Sequence, residues 1–332
     1  MPLNKNIKII LNYVVGPLVF CLLAFSIYRQ LFHQPRWRES LQQILEAFTG
    51  SGAVYLLSAV ALMLLNWGIE ARKWQLVIRK IQPISLFQSW KAVQAGITMS
   101  FFTPNRVGEY VGRVLYIQEG KRIQAVSLTI VCSMAQLLVT WVAGIAGLIF
   151  LKNYLASSNT SDGDALLWMN TVLFVTIGAA VILTLLYFKL SWLVRWIEKI
   201  PKIERFLGWI RVLDDFNATI LFRILSLSIF RYAVFIGQYY LLFTAFAVEL
   251  DLAQVFASVS VVFLVLSVVP TITFIFELSL RWSASIEVVK IFSTNVAGIL
   301  ATSLAVWIIN LVIPALVGSL LIIGIRIFNN KK

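Results

Sequence analysis

The chain contains one histidine, His33, two cysteines, and 15 acidic residues against 28 basic ones in 332 residues. A single histidine excludes any metal site or triad built from several imidazoles. No P-loop and no G-x-S-x-G occurs, and no cluster of carboxylates points to metal-dependent glycosyl transfer. The sequence therefore predicts no catalytic residue, no cofactor and no metal. Cys21 and Cys132 fall inside apolar runs, so they do not form a disulfide framework. Only 13% of residues are charged, and nowhere is there a polar stretch long enough for a soluble domain.

What fills that space is apolar. Hydrophobic residues make up 60% of the chain and the mean hydropathy is +0.86. Runs longer than about 18 residues recur from end to end, the mark of spanning helices, and no alternating pattern suggests a barrel. The expected class is an all-α polytopic membrane protein. The formal charge of +13 is explained by basic flanks on membrane helices, not by nucleic acid, because no basic stretch interleaves with aromatics away from those flanks.

Spans are predicted at about residues 8–31, 53–71, 125–151, 166–188, 220–248 and 291–325. The first, behind Lys5 and Lys8, has the charge of a signal sequence but exceeds a signal's apolar length and lacks an A-x-A site, so it reads as a retained span. The second ends in Glu70-Ala71-Arg72-Lys73-Trp74, read as an aromatic and basic interface anchor. His33 to Gly52 forms a short connecting segment. Lys189 to Phe216 mixes basic residues with tryptophan and isoleucine, as a helix lying in the interface does. The sequon at Asn159-Thr160-Ser161 is too short to carry weight.

Lysine and arginine counts orient the chain. Seventeen lie on one set of flanks, five on the other, and six within or between apolar segments. The majority set places both termini in the cytoplasm. Residues 84–120 then begin and end on the cytoplasmic side, so they form a re-entrant hairpin that breaks at Thr103-Pro104-Asn105. Residues 252–290 dip from the opposite face and break at Pro270. Pro104 and Pro270 are 166 residues apart, and Glu109-x-x-x-Arg113 precedes Glu277-x-x-x-Arg281 by 168. This is the pattern of an inverted-topology repeat, with halves at 1–155 and 156–332, about six full spans and two re-entrant hairpins.

The first break carries the chemistry. Pro104 stops the incoming helix, and backbone freed inside a membrane must face protein or a wet cavity. A helix restarting there offers free N–H groups to an anion. Glu109 and Arg113 stand one turn apart and pair, either as a neutral structural couple or as part of a site. Arg106 lacks a local partner; it either snorkels to the interface or meets a phosphate, whose oxygens fit its fork. Asn105 lies beside it. Gly108 and Gly112 leave one helix flank open to close approach. Arg231 lies deep in the fifth span with Gln238 two turns on, a polar stripe that serves a headgroup or a packing partner such as Glu277. Asn66, Glu70, Gln136 and Asn310 read as interhelical hydrogen-bonding residues, and Arg223 as a snorkelling one.

At Thr103-Pro104-Asn105-Arg106-Val107-Gly108-Glu109 the sequence resembles the lysylphosphatidylglycerol synthase transmembrane, or flippase-like, family, whose hallmark is Thr-Pro-x-Arg-x-Gly-Glu. The Arg72-Lys73-Trp74 edge is similar to it as well. The resemblance implies a membrane domain that handles lipid headgroups; in multidomain members it moves aminoacylated phosphatidylglycerol between leaflets, and other members accompany lipid-linked sugar synthesis. The chain departs from the family at Pro270 to Glu277, where a Pro-Gly-Gly-type turn is common, and at Cys132 to Gln136, where a Glu-Arg pair often stands.

The expectation is an integral transporter of flippase type in the cytoplasmic membrane. It binds an anionic phospholipid or polyprenyl-linked phosphate through Arg106, Arg231, Asn105 and Gln238. Pro104, Gly108, Glu109, Arg113, Pro270, Glu277 and Arg281 form or gate the helix breaks. The alternatives are a non-catalytic subunit presenting lipid to a separate transferase, and an ion-coupled transporter of small anions.

Overall fold

The computed structural model describes residues 15–32, 36–50, 52–157, 163–189, 211–213, 216–269 and 274–323. Every regular element among them is helical. In order these are α1 (Val15–Phe32), α2 (Trp37–Thr49), α3 (Ala53–Ile78), α4 (Leu86–Ser100), α5 (Gly108–Val114), α6 (Arg122–Ser157), α7 (Gly163–Phe188), α8 (Ala218–Ala245), α9 (Leu252–Val268), α10 (Phe274–Val289), α11 (Val296–Trp307) and α12 (Ile313–Ile323). Short 3₁₀ turns sit at Pro104–Arg106 and Glu119–Lys121, and a π-turn, Ile308–Val312, joins α11 to α12.

Five runs among the described residues are long and apolar enough to cross a membrane: Ala53–Ile78, Glu119–Ser157, Leu167–Phe188, Ala218–Ala245 and Val296–Ile322. They match five of the six predicted spans. The sixth begins in residues 1–14, outside the described ones, and α1 is its described part. The interfacial segment expected at Lys189 to Phe216 and the sequon also lie almost wholly outside the described residues. So do both chain ends.

The centre of the fold is the antiparallel pair α3 and α8. Gln238 Nε2 donates to Ala59 O at 2.8 Å, Arg231 Nε to Asn66 Oδ1 at 2.8 Å, and Lys73 Nζ to Ser228 Oγ at 3.4 Å. These three rungs descend one helix as they climb the other, which fixes the register. Two further pairings flank it. Helix α4 packs on α12, where Thr98 Oγ1 donates to Ala315 O at 2.7 Å, and α9 packs on α6, where Gly144 meets Leu264.

Helices α4 and α5 form a tight hairpin whose seam is glycine. A Cβ on Gly108 would stand 2.0 Å from Met99 O, and one on Gly112 would stand 2.3 Å from Ala95 O. No side chain fits there, so the two backbones approach as only glycine permits. At 1.5 Å per residue, α4 is about 22 Å long and α5 about 10 Å, both short of a hydrocarbon core about 30 Å thick. Helices α9 and α10, at 17 and 16 residues, also pack on each other.

Helix starts recur at a fixed offset. Ser85 caps α4 in a reciprocal box with Gln88, and 166 residues later Asp251 caps α9 in the same box with Gln254. Helices α3 and α8 begin 165 residues apart.

Candidate functional site: a charged cavity at the helix break

A carboxylate inside a membrane fold is costly unless cations surround it. Glu70, one turn past Asn66 on α3, collects three. Lys73 Nζ lies 2.7 Å from Oε2, Arg113 Nη2 2.9 Å from Oε1, and Arg231 Nη1 3.1 Å from Oε2. Arg113 also pairs with Glu109 across one turn of α5. Three helices are tied at one point in this way: α3 by Glu70 and Lys73, α5 by Arg113, α8 by Arg231. Arg231 is further held by Gln136 Oε1 at 3.4 Å, and its guanidinium lies 5.0 Å from the Trp67 ring centroid and 5.3 Å from that of Phe235.

The Glu109–Arg113 pair expected from sequence is present, but Glu70 carries more than the interhelical hydrogen bond its sequence position suggests. Nor is Lys73-Trp74 an interface anchor. Instead α3 runs on to Ile78, and both Lys73 and Trp74 are buried, with Trp74 Nε1 donating to Thr129 Oγ1 at 3.0 Å. The spacing Asn66, Glu70, Lys73 puts all three on one helical face, which is the signal the sequence holds. Arg231, for which the sequence left open a headgroup or a packing partner such as Glu277, pairs with Glu70. The side chain of Glu277, in the first turn of α10, and Pro270 lie outside the described residues.

The break itself is wider than expected. Helix α4 stops at Ser100, ahead of Pro104, and α5 starts at Gly108. Between them Asn105 (φ 49°) and Arg106 (φ 59°) occupy the left-handed region in succession. Asparagine tolerates this; for arginine it costs about 1–2 kcal/mol. Gly108 N–H, the first donor of the short α5, is taken by Thr103 Oγ1, so the restart offers one N–H fewer than the sequence suggested. The turn directs Arg106 into the interior. Arg106 makes no hydrogen bond or ion pair with another described residue, and its Nε is buried without a partner. Glu109 is within electrostatic range but does not touch it.

Two adjoining cavities meet at Arg106, Arg231, Trp67, Gln136 and Thr140. One, of about 310 Å³, is polar and adds Lys73, Glu70, Glu109 and Asn105. The other, of about 260 Å³, is walled by Phe235, Phe263, Leu266 and Val306, with Arg281 and Asn310 among them. Four of the predicted residues, Asn105, Arg106, Glu109 and Arg231, thus share the polar chamber, and Arg281 lines the other. Arg281 is buried and donates from Nη1 to Tyr239 Oη at 3.1 Å. Gln238 does not line either chamber; its amide pins α8 to α3. Gly108, Gly112 and Arg113 build the hairpin behind the polar wall. Among the described residues no group of three histidine, cysteine or acidic side chains could hold a metal ion.

The fold and site define a multi-pass helical membrane protein with a charged interior cavity at a helix break. The chain belongs to the family described as the lysylphosphatidylglycerol synthase TM region, which it matches over residues 9–275. Among curated proteins there is no match. The family stretch includes the heptad at Thr103 to Glu109, Glu70 and Arg231, and ends before Arg281 and Asn310. Its membership makes this a lipid-related membrane protein.

Proposed function

We propose that the chain is a flippase-type lipid transporter of the cytoplasmic membrane, both termini cytoplasmic, with no catalytic step of its own. In this reading it is an inverted repeat of 1–155 and 156–332, and α4–α5 and α9–α10 are re-entrant hairpins entering from opposite faces. Supporting the repeat are the shared 166-residue offset of the capping boxes and the matched packing of α4 on α12 and α9 on α6.

The observation that carries the function is Arg106. It stands on a strained turn, partly buried, with no partner, next to Arg231. Among the described residues Lys73, Arg106, Arg113 and Arg231 face only Glu70 and Glu109, so this cluster has two cations in excess there. A phosphate monoester or diester supplies the missing negative charge, and arginine's planar fork suits its oxygens. The apolar chamber beside it suits acyl or prenyl chains better than a free anion would need. The headgroup of a phospholipid or polyprenyl-linked lipid would sit between Arg106 and Arg231, its chains leaving along Phe235, Phe263 and Leu266. Glu70, Glu109 and Arg113 would keep the broken helices in register during passage.

The test is leaflet exchange of fluorescent phosphatidylglycerol in vesicles holding the purified protein. Arg106→Ala should slow exchange at least about tenfold, the worth of one charge-assisted hydrogen bond, while leaving folding intact. Unchanged exchange in Arg106→Ala sinks the mechanism. No exchange by the wild type, with a transferase co-purifying, would favour lipid presentation to that enzyme; uptake of free phosphate would favour a small-anion transporter.

A further inference from the structure

The π-turn between α11 and α12 has a sequence cause. Pro314 has no N–H to give to the carbonyl of Asn310, and its ring crowds that carbonyl. The ladder widens by one residue, so that Ile313 N–H bonds Ile308 O. Such bulges lie often at functional sites because they turn a side chain out of the regular helical face. Here the side chain is Asn310, only 5% exposed, and it lines the apolar chamber that Arg106, Arg231 and Arg281 also line.

The orientation of its amide is fixed by its one bond. Nδ2 donates to Val306 O at 3.3 Å, so the other end is Oδ1. That oxygen is buried without a hydrogen-bond partner. An orphaned buried acceptor is unfavourable in the empty protein and favourable once a donor arrives. The cations in the same chamber can only donate, and the ones named here already serve other acceptors or await an anion. None of them bonds this oxygen, which leaves it open to a donor carried by the ligand.

We propose that Asn310 is a headgroup-selecting residue: its Oδ1 accepts a hydrogen bond from a hydroxyl or ammonium group carried next to the phosphate that Arg106 and Arg231 hold. The ligand class is a phosphate ester with a donor-bearing headgroup, as opposed to a bare or methyl-capped phosphate. This rests on the transporter reading for the phosphate end alone. Residue 310 lies beyond the stretch matched to the family, so membership does not assign it a role.

Matched short-chain lipids separate the chemistry, with binding followed by Trp fluorescence on the full chain in detergent. Phosphatidylglycerol and phosphatidylmethanol carry the same charge and differ in hydroxyls. Phosphatidylethanolamine and phosphatidylcholine differ in ammonium donors. The wild type should bind the donor member of one pair on the order of tenfold more tightly, the worth of one buried acceptor left unpaired. The pair that shows the gap identifies hydroxyl or ammonium as the source. Asn310→Leu should erase the gap and leave the donor-free lipid within about twofold. Asn310→Asp, which keeps an acceptor oxygen, should preserve it. Because each gap is a ratio on one preparation, a partly misfolded variant lowers both members alike and leaves it readable. Equal binding by the wild type within both pairs overturns the proposal, as does a gap that survives Asn310→Leu. If none of the four lipids binds, the phosphate site itself fails; if all bind equally and Arg106→Ala abolishes binding, only Asn310 is wrong.

Discussion

Replacing Glu70 by Gln is the sharpest test of how the charged cluster holds the fold. The substitution keeps the side chain's volume but removes one negative charge and turns one acceptor oxygen into an NH2 donor. In the native protein Lys73, Arg113 and Arg231 stand at 2.7, 2.9 and 3.1 Å from that carboxylate. Arg113 keeps Glu109. Lys73 and Arg231 keep only neutral partners: Ser228 for the first, Asn66 and Gln136 for the second. Breaking a buried pair from one side costs about 3–5 kcal/mol, because the charge left behind stays desolvated. At roughly 2–4 °C per kcal/mol for a chain of this size, the melting temperature should fall by about 10 °C.

Thermal unfolding in detergent, followed by tryptophan fluorescence, reads this directly. Glu109→Gln makes the comparison: its side chain is 24% exposed and touches one arginine that has a second carboxylate. It should cost about 1–2 kcal/mol, well below Glu70→Gln. Adding Lys73→Met to Glu70→Gln removes one uncompensated cation and should recover part of the loss. A Glu70→Gln protein melting within about 2 °C of wild type would refute the hub, as would a double variant less stable than the single one.

Two further outcomes test the hairpin and its repeat. Gly112→Ala drives a methyl to 2.3 Å from Ala95 O, backbone against backbone, and should destabilise by about 3 kcal/mol; Gly68→Ala, with nothing within 4 Å of the new carbon, should stay within about 0.5 kcal/mol. Thermal melts of the pair decide it. Ser85→Ala and Asp251→Ala each remove a capping side chain and should each cost about 1 kcal/mol, additively, since they cap different helices; a melt of the double variant checks the sum.

Much of the architecture was legible because lipid imposes long apolar runs, and five predicted spans coincide with described helices. The break near Pro104 and the Glu109–Arg113 pair were legible too, since both are local: one depends on a missing N–H, the other on a four-residue spacing. What was not legible is long-range. Nothing in one sequence states that Arg231, 161 residues away, reaches Glu70, or that Lys73-Trp74 turns inward. Lysine next to tryptophan has the composition of an interface anchor wherever it lies, and only packing against Thr129 and Ser228 distinguishes the two. Asn310 was legible as a polar residue in a span, but the unpartnered oxygen depends on the π-turn, and Pro314 four residues on was the signal that predicts that turn.

The same residues also separate a structural cluster from a functional one. A cluster serving only to lock helices together is most stable when its charges balance, because every uncompensated cation in low dielectric raises the energy of the fold. Among the described residues four cations, Lys73, Arg106, Arg113 and Arg231, share two carboxylates, and the member of this cluster without a partner, Arg106, is the one with a left-handed backbone. Glycine at position 106 would relieve the backbone and remove one of the two excess charges at once, so stability alone favours it over arginine. Both penalties fall on the same residue, and in the proposed function both would be offset by one event, the arrival of an anion between Arg106 and Arg231. Strain held at a residue that only a ligand can satisfy is the signature expected of a binding site.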